Sequence, residues 1–112
     1  MVRKKNPFLG KWRIAEMEQW DKDFIDAEEG GYFQFDKGGQ GDFQFGYVHG
    51  SMDYEVETED GKQRVDFSWE GTNELDETSG RGWVRLEDDG TLYGKIAFHM
   101  GERSWFKAER NG

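Results

Sequence analysis

The chain has 112 residues, a formal net charge of −9 and no cysteine. The size fits one domain, and the missing thiols exclude disulfides, thiolate metal sites and cysteine nucleophiles. Acids outnumber bases 24 to 15, the reverse of the basic face by which a protein grips nucleic acid, so no direct nucleic-acid partner is expected.

Only 34% of residues are hydrophobic and 35% are charged, yet 16% are aromatic. Each aromatic buries about 150–250 Å², so five Trp, nine Phe and four Tyr can carry a core. Arg3, Lys4 and Lys5 are followed by no apolar run, and no stretch approaches the length of a membrane span. The expectation is a cytoplasmic protein of one domain over residues 1–112, with residues 1–7 as a flexible tail.

In chain order the dominant period is two, with turns marked by glycine. Phe8 to Trp20 reads as a long first strand. Asp21 to Glu29 reads as a short helical turn or ordered loop, with Asp21 or Asp23 as N-cap and Gly30-Gly31 as its end. Tyr32 to Asp36 is the second strand, and Lys37 to Gly41 its turn. Asp42 to His49 is the third, with Phe43, Phe45 and Tyr47 on one face and a tight turn at Gly50-Ser51. In the fourth, Met52, Tyr54, Val56 and Thr58 alternate with Asp53, Glu55, Glu57 and Glu59, which predicts a strongly acidic outer face.

Asp60-Gly61 predicts a type I′ hairpin. Val65, Phe67 and Trp69 mark the buried face of the fifth strand, and Gly71 to Ser79 reads as a polar loop. Gly80 to Glu87 is the sixth strand, Asp89-Gly90 a hairpin turn, and Leu92 to Met100 and Glu102 to Glu109 the last two. Hairpin-linked strands in this number predict an all-β fold: an antiparallel up-and-down meander closed into an eight-stranded barrel. An open coiled sheet or a two-sheet sandwich is the alternative.

Gly10-Lys11-Trp12 resembles the Gly-x-Trp opening of lipocalin-like (calycin-like) barrels. The resemblance implies that Trp12 closes one barrel end, with a basic residue of the last strand, Lys107 or Arg110, packed across it. Gly10 to Glu18, Trp20-Asp21, Phe67 to Gly71 and Ser79 to Trp83 further resemble a group of short bacterial proteins of unknown function. That likeness implies no catalytic residue.

A barrel mouth lined by Glu16, Glu18, Trp20, Tyr47, His49, Trp69 and Arg81 is the candidate site for a small-molecule ligand. Glu16 and Glu18 continue the phase of Trp12 and Ile14. An unbroken strand would send both inward, to be matched by Arg81, Arg85, a ligand or protons. A β-bulge near Ala15 would instead bury Met17 and expose both acids. Glu16, Glu18 and Glu70 are the carboxylates that could pair for acid–base chemistry, although a non-enzymatic binding role is favoured.

His49 and His99 lack the spacing of a zinc motif, no calcium loop or phosphate-cradling loop is present, and no cofactor or metal is expected. Trp83 and Trp105 share strand faces with Arg85, Arg103 and Lys107 and read as surface tryptophans, the composition of a binding hot spot. The alternative to a mouth ligand is a basic protein partner drawn to the acidic surface. Oligomeric state is not legible.

Overall fold

The computed structural model describes residues 6–110. Eight strands form one closed antiparallel barrel in sequence order, with the last pairing back to the first. They are β1 (Gly10–Met17), β2 (Tyr32–Phe35), β3 (Gln40–Phe45), β4 (Val48–Glu59), β5 (Lys62–Asn73), β6 (Asp76–Leu86), β7 (Leu92–Phe98) and β8 (Arg103–Arg110). One short helix, α1 (Lys22–Ile25), follows β1. Asp21 caps it, accepting the Phe24 N–H at 2.9 Å and satisfying one of the donors a helix start leaves free. Asn6 and Pro7 are tied to the barrel, through Asn6 Nδ2 to the Tyr54 hydroxyl and through the Arg110 guanidinium to the Pro7 carbonyl. The rest of the expected N-terminal tail lies outside the described residues.

Inward positions mostly alternate along the strands, and their side chains form one core cluster. Phe33 stacks on Phe106 at 4.4 Å and on Phe43 at 4.9 Å, and meets Phe67 edge-on at 6.1 Å. Such pairs contribute about 0.5–1.5 kcal/mol each beyond their burial. One barrel end is closed by Trp12, whose N–H donates to the Phe8 carbonyl at 2.8 Å. Arg110, on β8, lies 4.1 Å over the Trp12 ring, while Lys107 lies over Trp105. The opposite end is closed by Trp20, which packs on Phe24 of α1, Phe45 and Phe98.

β1 is shorter than the expected Phe8 to Trp20, and two connections differ from the sequence reading. The β3–β4 turn is Gly46-Tyr47, with Gly50 inside β4. Gly46 takes φ +57 at the first central position of a two-residue hairpin, where glycine costs least. Gly50 is small for another reason: the Phe43 ring occupies the place a Cβ would take. The expected loop from Gly71 to Ser79 is instead the end of a long β5–β6 hairpin turning at Glu74-Leu75. Its residues are polar because the hairpin runs past the end of β7, so both faces meet water. The Asp60-Gly61 turn has positive φ at both residues, 53° and 76°, as a type I′ turn requires.

Candidate binding surface

The candidate mouth divides. Between Ile14 and Glu16 the β1–β8 register shifts, leaving Ala15 unmatched. The bulge turns Met17 inward to 5% exposure and leaves Glu16 and Glu18 on the outer wall. Glu16 lies opposite Lys107, and Glu18 accepts the Trp105 backbone N–H at 3.3 Å. Two unpaired carboxylates inside a barrel of rings would each cost several kcal/mol; one inserted residue removes that cost.

Trp20 and Trp69 do meet at one barrel end, each against Phe98, at 5.9 and 5.0 Å. Tyr47 joins them through Phe24 at 6.0 Å and is 41% exposed. The Trp69 side chain is buried, and its Nε1–H has no hydrogen-bond partner. It lies against Gly80 on the next strand, where a Cβ would stand 2.9 Å from Nε1. The strand break at Gly46-Tyr47 takes His49 out of the phase of Phe43 and Phe45. His49 is exposed and holds Glu28 at 2.8 Å, and Glu28 also accepts from Gln44. Glu70 faces outward along a groove of ≈ 590 Å³ with Ser51, Asp53 and Ser68. Among the described residues no three His, Asp or Glu side chains gather closely enough to hold a metal ion.

Arg81 belongs to a different surface. Strand register builds three outer rows across β5–β8. One row runs Arg64, Arg85, Tyr93, Lys107; the next Asp66, Trp83, Lys95, Trp105; the third Ser68, Arg81, Ala97, Arg103. Trp83, Tyr93 and Trp105 form a diagonal ladder with centroids 6.0 and 6.3 Å apart. Arg64 sits 4.8 Å over Trp83, and Arg85 4.9 Å over Tyr93. Arg64 is paired with Asp66 and Arg85 with Glu87. Arg81, Lys95 and Arg103 have no ion pair or side-chain hydrogen bond among the described residues. They border a hollow of ≈ 390 Å³ that Gly82, Trp83, Ala97 and the ion-paired Arg64 and Asp66 also line.

Sequence reading grouped both surface tryptophans with Arg85, Arg103 and Lys107, and assigned Arg81 to the barrel mouth instead. It missed Arg64, Tyr93, Lys95 and Ala97, and with them the surface. The available signal was the outward phase of β7, since Tyr93, Lys95 and Ala97 alternate with the buried Leu92 and Ile96. The acidic stripe is as expected: Asp53, Glu55, Glu57 and Glu59 all face out from β4, and none takes an ion pair among the described residues. No family model, curated protein or solved structure matches the chain.

Proposed function

We propose that the protein is a non-enzymatic binding module that takes a small anionic ligand on the outer wall of its barrel. One observation carries this reading. Arg81, Lys95 and Arg103 line one hollow with no ion pair among the described residues, beside a ladder of partly exposed rings, and the one acid in that lining, Asp66, is held by Arg64, in a chain whose net charge is −9. Cations held side by side without ion pairs of their own repel one another. A bound anion would supply the missing charge, and aromatic walls beside cations are the usual make-up of a recognition surface. The barrel interior is a weaker candidate, because a ligand needs roughly 300 Å³ or more and the central volume is taken up by Phe33, Phe43, Phe67 and Phe106.

Titration with the aromatic dianion isophthalate, followed residue by residue in amide NMR spectra, tests the reading. Shifts centred on β6–β8 are expected. Shifts confined to the end holding Trp20 and Trp69, or none, would remove it. A second reading, a basic protein partner on the β4 face, is supported by the four unpaired acids there. A lysine-rich peptide should then shift β4 amides, and its binding should weaken as salt rises above ~0.15 M.

A further inference from the structure

We infer that the hollow over Ala97 is a site for a phosphate monoester carrying an aromatic ring, with the phosphate on Arg81, Lys95 and Arg103 and the ring against Trp83. The inference rests on the outer-wall reading and narrows it to one ligand chemistry.

Ala97 stands between Arg81 on β6 and Arg103 on β8 in a single row. Strands are about 4.8 Å apart, so the two arginine Cα atoms lie roughly 10 Å from each other, with Lys95 about 7 Å along β7. Ala97 is the small side chain among long ones, and its size makes the depression. Long cationic side chains rooted on three sides of a small residue can turn their ends toward the space above it. A larger residue at Ala97 would fill that space.

The charges suit phosphate better than carboxylate. Two guanidinium forks and one ammonium offer more donors than a monoanionic carboxylate can accept. A phosphate dianion with three terminal oxygens can take a fork from each arginine and a third bond from lysine. The hollow of ≈ 390 Å³ falls in the range of small-ligand sites. A second hollow of ≈ 190 Å³ shares Arg81, Ala97 and Arg103 with it and continues past Gly80, Phe98 and His99. Trp83 walls the first hollow at Lys95's register position on β6, within reach of a ring joined to the phosphate.

The rest of the molecule limits ligand length. A long polyanion laid across β6–β8 would reach the acids of β4, where Asp53 continues the Arg81 row through Ser68. A compact ester meets Arg81, Lys95 and Arg103, and the one acid in the lining of the hollow, Asp66, is already paired with Arg64. Single-stranded nucleic acid, which also uses ring platforms and cations, is therefore disfavoured and becomes an arm of the test.

The test uses the full chain with four probes: inorganic phosphate, phenyl phosphate, isophthalate and a ten-nucleotide single-stranded DNA. Phenyl phosphate should bind most tightly. Arg81→Gln and Arg103→Gln should each weaken it about tenfold, the loss of one charge-assisted bond. Ala97→Leu should abolish binding with no change in charge. Trp83→Leu should bring phenyl phosphate down to the affinity of inorganic phosphate. All four substitutions lie on the outer wall, and a melting curve on each confirms that the barrel stands. Unchanged affinity in both arginine variants would overturn the site. Equal binding of isophthalate and phenyl phosphate would overturn the phosphate assignment while leaving the outer-wall reading in place. Tighter binding of the oligonucleotide would overturn the compact ligand.

Discussion

Two buried indoles, Trp12 and Trp69, differ in what their N–H groups meet. Trp12 donates to the Phe8 carbonyl, whereas Trp69 donates to nothing. A buried donor left unpaired costs about 1–3 kcal/mol, so removing it recovers part of what the smaller ring loses in packing. Trp69→Phe should therefore destabilise the barrel less than Trp12→Phe, by on the order of 1 kcal/mol in chemical denaturation. Equal losses would mean that water or another group satisfies the Trp69 donor. Trp12→Ala should cost about 3–5 kcal/mol, because the barrel end would then lie open. Tyr32 marks the alkaline limit. Burial, followed by its hydrogen bond to Asp42, pushes its hydroxyl up to about 12. A folded value above the unfolded one near 10 means the neutral phenol favours the fold. That stability is whole below pH 10 and drains as the pH rises toward 12. Denaturation midpoints measured across that window should fall more steeply for the wild type than for Tyr32→Phe.

At the scale of elements, turn chemistry and bulges decide which side chains face which way. Asp60-Gly61 and Asp89-Gly90 were legible because each pairs a turn-favouring acid with glycine between alternating strands. Gly46-Tyr47 was not, because Tyr47 continues the aromatic alternation of Phe43 and Phe45, and Gly50-Ser51 looks more like a turn. Packing decides between them. Gly46 donates to the Ile25 carbonyl of α1 and lies under the Phe24 ring, while Gly50 lies under Phe43. Gly46→Ala should thus loosen α1 as well as the turn, visible as faster amide exchange over residues 22–26. Unchanged exchange there would separate the helix from the turn. The β1 bulge shows the limit of periodicity: strand phase alone allowed Glu16 and Glu18 either side, and only pairing with β8 placed them. Neutralising both to Gln should leave stability within about 0.5 kcal/mol, as at other surface positions. The outer-wall surface was hidden for a related reason. Arg81, Lys95 and Arg103 are far apart in sequence and become neighbours only through register across β6, β7 and β8.

Across the whole molecule the charges are sorted rather than mixed. β4 carries acids outward, and the outward positions where β6, β7 and β8 pair carry cations, rings and Ala97. Between them β5 holds Asp66 directly opposite Glu55, a like-charge pair that disfavours the sheet. Arg64 pairs with Asp66 on the same strand and, both side chains being exposed, offsets only part of its charge, and Glu55 keeps no cation of its own among the described residues. Folding therefore gathers Glu55 into a repulsive field formed by Asp53, Glu57 and Asp66. Replacing it with Gln should raise stability by a few tenths of a kcal/mol, the size of a cross-strand pair. The field reaches about 30 Å at 0.01 M salt but only about 3 Å at 1 M, so the gain should be largest in dilute buffer and vanish in concentrated salt. Melting curves of wild type and Glu55→Gln at the two salt concentrations measure this directly. A variant less stable than wild type at low salt would show that Glu55 is held by attraction, and that the acidic stripe serves the fold rather than a partner.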